Sequence, residues 1–221
     1  MKHDIRIIDQ QLSTWELFLG EIVRNINPSK DSIQNQLLFL IEGNFCNHRK
    51  YDALVAVRFM ASYEEAINEY MHPPTDFKQA NIKAELIHFG GLFEGILEIF
   101  LASQFQKNII TSQLYSSWFP ANKSDLLIHE ECLSKKQKNG RLQKLSFNAS
   151  IECFSEWNKQ INGDDSEFSN YANLMHTLRN QRNDVHVNHM VDSGGLHEEH
   201  KLVEIREKWN YFLELIKGKM Q

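Results

Sequence analysis

The stretch AELIHFGGLFEGILEIFLASQFQ, from Ala84 to Gln106, decides the fold of this chain. At about 100° per residue, its apolar side chains cover nearly every side of a helix. A helix that is apolar all round has to be buried on every side. We therefore predict a long helix that begins near Asp76 and lies in the middle of a helical bundle. Its glycines lower helix propensity but let a neighbouring backbone approach closely.

Two carboxylates near the middle of this stretch, Glu94 and Glu98, need partners. A buried carboxylate is costly unless it is paired or hydrogen-bonded. We expect cations from a neighbouring helix to support them, and Arg179 and Arg182 are the natural candidates.

The remaining segments are predicted from the spacing of their apolar residues. Residues 1–75 carry stripes with spacings of three and four, which predict N-terminal packing helices over 4–25, 29–43 and 51–71. The last amphipathic helix covers residues 197–217. The acidic side of the third helix is interpreted as a solvated face, formed by Glu64, Glu65 and Glu69.

Residues 108–163 are less regular and predict a loop-rich insertion with one or two short helices. An apolar stripe from Leu142 to Trp157 favours a helix, whereas Asn139-Gly140 is also typical of a hairpin turn. Both interpretations stay open. With these segments, the chain is predicted to be one all-α domain over residues 1–221, an up-and-down helical bundle.

Composition narrows the class of protein. A length of 221 residues with 42% hydrophobic residues is enough for one good core. The net charge of -5 argues against a surface that binds long nucleic acid everywhere. Three widely spaced cysteines indicate neither a disulfide framework nor a cysteine zinc site. The polar start and the lack of a long uninterrupted apolar run predict a cytoplasmic protein without a membrane span.

The stretch LMHTLRNQRNDVHVN, from Leu174 to Asn188, carries the candidate chemistry. On a helix, Arg179, Arg182 and His186 fall on one side, because positions three, four and seven apart share a face. The apolar seam of this helix consists of Tyr171, Leu174, Leu178 and Val185. The simplest interpretation is a polar helix edge on which Arg182 forms a structural ion pair.

The same stretch resembles the HEPN superfamily, whose signature is an arginine followed by a polar residue and then, a few residues later, a histidine. Arg179-Asn180 with His186 matches this spacing at its long limit, whereas Arg182-Asn183 is one residue short. Both arginines therefore stay open as the signature residue. The resemblance covers residues 76–217, and it leaves 1–75 as additional N-terminal helices and 108–163 as an insertion.

This resemblance implies a helical bundle that dimerises and acts as a metal-independent endoribonuclease without cofactors. It also implies RNA as substrate, a toxin or antiphage-defence role, and an antitoxin or regulatory protein as partner. Attack by the 2′-hydroxyl of RNA needs a proton-transfer group near neutral pH, which His186 supplies. It also needs a fixed positive charge for the phosphorane, which Arg179 or Arg182 supplies, while Asn180 or Asn183 orients the phosphate or the imidazole.

A metal site and an RNA-binding patch are weaker alternatives. The pairs His186/His189 and His197/His200 suit zinc, copper or nickel, but a flexible Gly-containing segment separates them and no cysteine accompanies them. We therefore predict no metal. The basic run near residue 140 either contacts RNA phosphates or is a solvated loop. It consists of Lys135, Lys136, Lys138, Arg141 and Lys144.

Two hypotheses from different classes follow. In the first, the protein is an endoribonuclease, and Arg179 and His186 open onto a cleft. In the second, it is a non-catalytic HEPN-like helical module that binds a protein or nucleotide partner. The second hypothesis predicts that Arg179 or Arg182 is locked to Glu94 or Glu98 in the core.

Overall fold

A computed structural model describes residues 20, 26, 28–110, 126–137, 139–163, 167–183 and 199–221, without the side chains of Leu126, Arg182 and Asn183. These residues are mostly helical, as the apolar spacing predicts, and they also contain a small antiparallel sheet. The helices are α1 Lys30–Leu37, α2 Phe39–Glu42, α3 His48–Met71, α4 Thr75–Gln106, α5 Phe147–Asn162, α6 Glu167–Asn183 and α7 Glu199–Met220. The strands are β1 Leu126–His129, β2 Cys132–Lys136 and β3 Leu142–Lys144.

Helix α4 is the centre of the molecule, as its apolar circumference predicts. It packs against α3, α5, α6, α7 and β2. Aromatic side chains from α4, α5 and α7 meet edge to face or tilted, which is the arrangement that aromatic rings prefer. The fully buried members are Phe89, Phe93, Phe100, Phe154, Trp157, Trp209 and Phe212. In length and hydropathy α4 could cross a membrane, but most of it is buried by other elements, as in the core helix of a soluble protein.

Local signals account for where the helices begin and end. The side chains of Ser29, Asn47 and Ser146 each accept a hydrogen bond from the first turn of α1, α3 and α5, respectively. Helix α3 ends at His72 in a left-handed conformation, just before Pro73 and Pro74. The predicted first helix, over residues 4–25, lies outside the described residues except for Gly20, which is helical.

The prediction of a loop-rich insertion needs correction. Strands β1, β2 and β3 form an antiparallel meander, and Gly140, with φ of 80°, lies in the turn between β2 and β3. The strands escaped prediction because Cys132, Leu133 and Ser134 are all buried, so β2 lacks an alternating pattern. The segment also contains α5, a 16-residue helix whose Phe154 and Trp157 belong to the core. The hairpin interpretation was correct at Asn139-Gly140, whereas the helix interpretation was correct only from Phe147 onward, because Leu142 lies in β3.

Candidate functional site around Arg179

Helix α6 sets the direction of Arg179. The seam residues Tyr171, Leu174 and Leu178 are buried, which confirms the predicted seam for its described members. This seam leaves Arg179 half-buried at the contact with α5. Nη1 of Arg179 donates to Oδ1 of Asn148, and Nη2 donates to Oδ1 of Asn180 at 3.1 Å. The Nε group of Arg179 is buried and has no partner in the described part of the chain.

A row of polar pairs runs along the interface between α5 and α6, in addition to the contact between Asn148 and Arg179. Oε1 of Glu152 lies 3.5 Å from Nε2 of His176. Nδ2 of Asn158 donates to Oγ of Ser169 at 3.1 Å. As residue numbers rise along α5 they fall along α6, so the two helices are antiparallel and the pairs keep one register.

The described residues contain only part of the predicted site. Arg179 and Asn180 lie together at the C-terminal end of α6, and Asn180 is exposed. Arg182 and Asn183 are in the last turn of α6, but their side chains lie outside the described part, as does His186. Of the four histidines considered for a metal, only His200 falls in the described ranges, and these ranges hold no group of three or more metal-binding side chains.

Glu98 is held by lysines, and the predicted pair between Glu98 and Arg179 does not form. Oε2 of Glu98 lies 3.3 Å from Nζ of Lys50 and also accepts from the thiol of Cys132 at 3.3 Å. Oε1 lies 2.5 Å from Nζ of Lys144, an ion pair by distance that is not aligned as a hydrogen bond. The register of packing decides this: α3 and the sheet cover Glu98, whereas Arg179 faces α5.

The pKa of Lys144 is also affected by the charge of Glu94, which is half-buried. Burial lowers the pKa of Lys144, and the contact with Glu98 raises it, with Glu94 acting in the same direction. The net shift of the Lys144 pKa is upward, so this lysine keeps its charge. Glu98 thus supports the sheet rather than Arg179.

The predicted RNA-binding patch lies on the β2–β3 hairpin. Lys136 and Arg141 are exposed, Lys135 is half-buried and Lys138 lies outside the described residues. Strand β3 leads directly into the first turn of α5, which carries Asn148. The N-terminal end of α5 is therefore joined to the hairpin along the chain and contacts Arg179 through Asn148.

A buried charge cluster between α3, α4 and α7 was missed from the sequence. Glu85 on α4 is fully buried. Arg206 on α7 donates two hydrogen bonds to its carboxylate, from Nε to Oε1 at 2.6 Å and from Nη2 to Oε2 at 2.7 Å. Nη1 of Arg206 also lies 3.0 Å from Glu65. Burial raises the pKa of Glu85 to about 7, against the opposing effect of Arg206.

The same cluster corrects the interpretation of the acidic side of α3. Glu64 is buried and its Oε2 lies 2.8 Å from Nδ1 of His88, while Glu65 is half-buried. Of the three residues assigned to a solvated face, Glu69 alone is exposed. The available signal was Glu85 itself, a carboxylate inside the apolar stretch that requires a partner as much as Glu94 and Glu98 do.

Grooves flank α6 on its other side. One groove of about 490 Å³ lies between α6 and α7, and its lining includes Glu167, Asn170, Lys208, Tyr211 and Glu214. Arg179 does not line this groove. The groove carries charges of both signs, from Glu167, Glu214 and Lys208. The groove therefore adds no group to the Arg179 site.

No known protein-family model matches this chain, and comparison with curated proteins and with solved structures yields no match either. The resemblance to HEPN proteins thus rests on the Arg/His signature of the sequence.

Proposed function

We propose that this protein is a metal-independent endoribonuclease of the HEPN type, with Arg179 as the phosphate ligand and His186 as the proton-transfer group. The observation that carries this proposal is the partner set of Arg179. In the described part of the chain, both partners are neutral amide oxygens, from Asn148 and Asn180. Among the described residues, these amides orient the guanidinium and no carboxylate neutralises it.

Arg206 shows what a structural arginine looks like in the same molecule. It is bound by Glu85 and lies 3.0 Å from Glu65, so carboxylates neutralise its charge. The non-catalytic hypothesis predicts the same arrangement for Arg179 or Arg182, with Glu94 or Glu98 as partner. Arg179 lacks such a partner in the described residues, which supports the ribonuclease as far as Arg179 is concerned. The side chain of Arg182, which the alternative names as well, lies outside the described part.

The proposed reaction uses the 2′-hydroxyl of RNA as nucleophile. His186 accepts its proton as the oxygen attacks the adjacent phosphorus, and the bond to the 5′-oxygen breaks as that oxygen takes a proton from water. His186 then returns the accepted proton to solvent, so that no net proton is gained or lost. The products are a 2′,3′-cyclic phosphate and a 5′-hydroxyl. Arg179 stabilises the charge of the phosphorane, Asn180 helps to orient the phosphate, and Arg182 with Asn183 is the other candidate pair for these two roles.

Cleavage of RNA in a chelator tests the proposal. We expect the purified protein to cleave single-stranded RNA in EDTA, and His186→Ala or Arg179→Ala to lower the rate by roughly 100-fold or more. His176→Ala is the matched control for the histidine and Arg49→Ala for the arginine, because His176 faces Glu152 and Arg49 is an exposed residue of α3. Both controls should keep the wild-type rate.

Equal trace activity in wild type and His186→Ala would refute the proposal that this protein is a ribonuclease. The chain would then be a helical module that binds a protein or nucleotide partner. The toxin or antiphage role, the antitoxin partner and the cytoplasmic location are part of the proposal and rest on the resemblance and composition. Slowed growth of cells that express wild type, but not of cells that express His186→Ala, would support the toxin role.

A further inference from the structure

We propose that Asn148 is a positioning residue of the reaction, which fixes the direction of the Arg179 guanidinium while leaving its positive charge intact. This inference rests on the proposed ribonuclease function. It assigns a role to a residue on α5, outside the Arg/His signature.

The interface between α5 and α6 defines the contact. Asn148 is the second residue of α5 and lies in register with Arg179, one helical turn from the pair formed by Glu152 and His176. Antiparallel packing brings these two turns together across 31 residues of sequence. Asn148 is therefore placed by the packing of α5 against α6 to accept a hydrogen bond from Arg179.

An asparagine at this position is a poor choice for stability alone. A carboxylate in the first turn of a helix interacts favourably with the helix dipole, and a carboxylate is also the stronger partner for a guanidinium. Aspartate, of nearly the same size, would supply both effects. The amide provides an acceptor oxygen for Nη1 without either gain, which is what a site that needs an uncompensated cation requires.

The remaining N–H groups of Arg179 suit a phosphate. A guanidinium has five N–H donors, of which the contacts with Asn148 and Asn180 use two, and the Nε group is buried, which leaves one N–H on each of Nη1 and Nη2. Because these two contacts come from neutral groups, the others retain the charge that strengthens a bond to an anionic oxygen. A carboxylate at position 148 would compete with the phosphate for the same cation.

Two substitutions separate positioning from structural support. In steady-state cleavage of a fluorescent 20-nucleotide single-stranded RNA, we expect Asn148→Asp to lower kcat roughly 10-fold to 100-fold. The same variant should keep or raise the midpoint of thermal unfolding. Asn148→Ala should lower kcat about 10-fold, because the guanidinium loses its direction. The effect on KM should be smaller than the effect on kcat in both variants.

Asn158→Ala is the matched control, since Asn158 also links α5 to α6, through Ser169. It should lower the thermal midpoint while kcat stays within about two-fold of wild type. If Asn148→Asp does not fold, Asn148→Ser replaces it: the hydroxyl is a neutral acceptor, so kcat for serine should exceed that for alanine.

The outcomes distinguish the two proposals. A folded Asn148→Asp with wild-type kcat, or equal kcat for the serine and alanine variants, overturns the positioning role and leaves the ribonuclease standing. Wild-type protein that cleaves no faster than His186→Ala overturns both.

Discussion

Arg179 and Arg206 are the same chemical group in two different electrostatic environments. Arg206 lies 2.6 Å from a fully buried carboxylate, and Arg179 is held by amides at the edge of the same bundle. A buried ion pair is weak evidence for net stability, but removing one partner leaves the other charge uncompensated. The two arginines should therefore respond differently to substitution.

Arg206→Met should lower the free energy of unfolding by about 3–5 kcal/mol at pH 8, because Glu85 would stay buried without its partner. Denaturant unfolding measures this loss. Lys208→Met removes an exposed cation that pairs with Glu204 on the same helix, and it should cost less than about 1 kcal/mol. Similar losses in the two variants would contradict the role of the buried pair.

The loss caused by Arg206→Met should shrink as the pH falls. Burial raises the folded-state pKa of Glu85 above its ordinary value, to about 7. A carboxyl with a raised pKa stabilises the fold below its unfolded pKa, and this contribution is lost as the pH rises through the folded pKa. Without Arg206 that pKa rises further, so protonation rescues the variant between about pH 8 and pH 5. An unfolding deficit that is constant over this range would refute the assignment to Glu85.

Helix α4 combines buried length with glycines that serve different purposes. A Cβ at Gly95 would lie 2.7 Å from Cδ2 of Leu54 on α3, whereas a Cβ at Gly91 would meet no atom within 4 Å. The sequence suggested close approach for all three glycines of the stretch. In the structure, the side chain of Leu54 rather than a backbone approaches Gly95, and nothing in the described residues approaches Gly91.

Gly91→Ala should raise the free energy of unfolding by about 0.5–1 kcal/mol, because alanine favours a helix interior and here meets no obstacle. Gly95→Ala should gain less or destabilise, since Leu54 is buried and has to move. Urea titration of the two variants measures the difference. Equal gains would show that the contact between α3 and α4 is not tight at Gly95.

The β2–β3 hairpin is the element with which we expect RNA to make additional contacts. Replacing Lys136 and Arg141 by glutamine should reduce the slope of log affinity against log salt by about 1.4, at roughly 0.7 per phosphate contact for a single strand. Fluorescence anisotropy with a labelled single-stranded RNA measures this slope. Glutamine at Lys30 and Arg49, both exposed, is the charge-matched control and should leave the slope unchanged. Equal slopes in both double variants would show that Lys136 and Arg141 do not contact RNA phosphates.

At the scale of the whole molecule, the sequence of one chain carries one Arg/His signature, and Arg179 of this signature lies near the end of α6. Few groups are then available for proton transfer and charge stabilisation, and the HEPN resemblance implies that two copies join their sets. We expect a homodimer at micromolar concentration. Equilibrium sedimentation should give twice the chain mass of 25.9 kDa, and a monomer at these concentrations would count against the shared site.

Much of the architecture was predictable because helix signals are local. The apolar circumference of α4, the caps Ser29 and Ser146, and the prolines after α3 act within a few residues. The apolar seam of α6 was predictable for the same reason. The small sheet was not, because its strands are short and β2 is buried on consecutive residues.

The sequence by itself determined most of the described helices and the burial of α4, and it identified Arg179 and His186 as candidate residues. Tertiary structure alone decided the partners: Asn148 for Arg179, lysines for Glu98 and Arg206 for Glu85. The members of these pairs are separated by 31 to 121 residues. Helical periodicity states which face a residue occupies, but the register between two packed helices depends on how all their side chains fit together. That register left Arg179 facing an amide rather than a carboxylate.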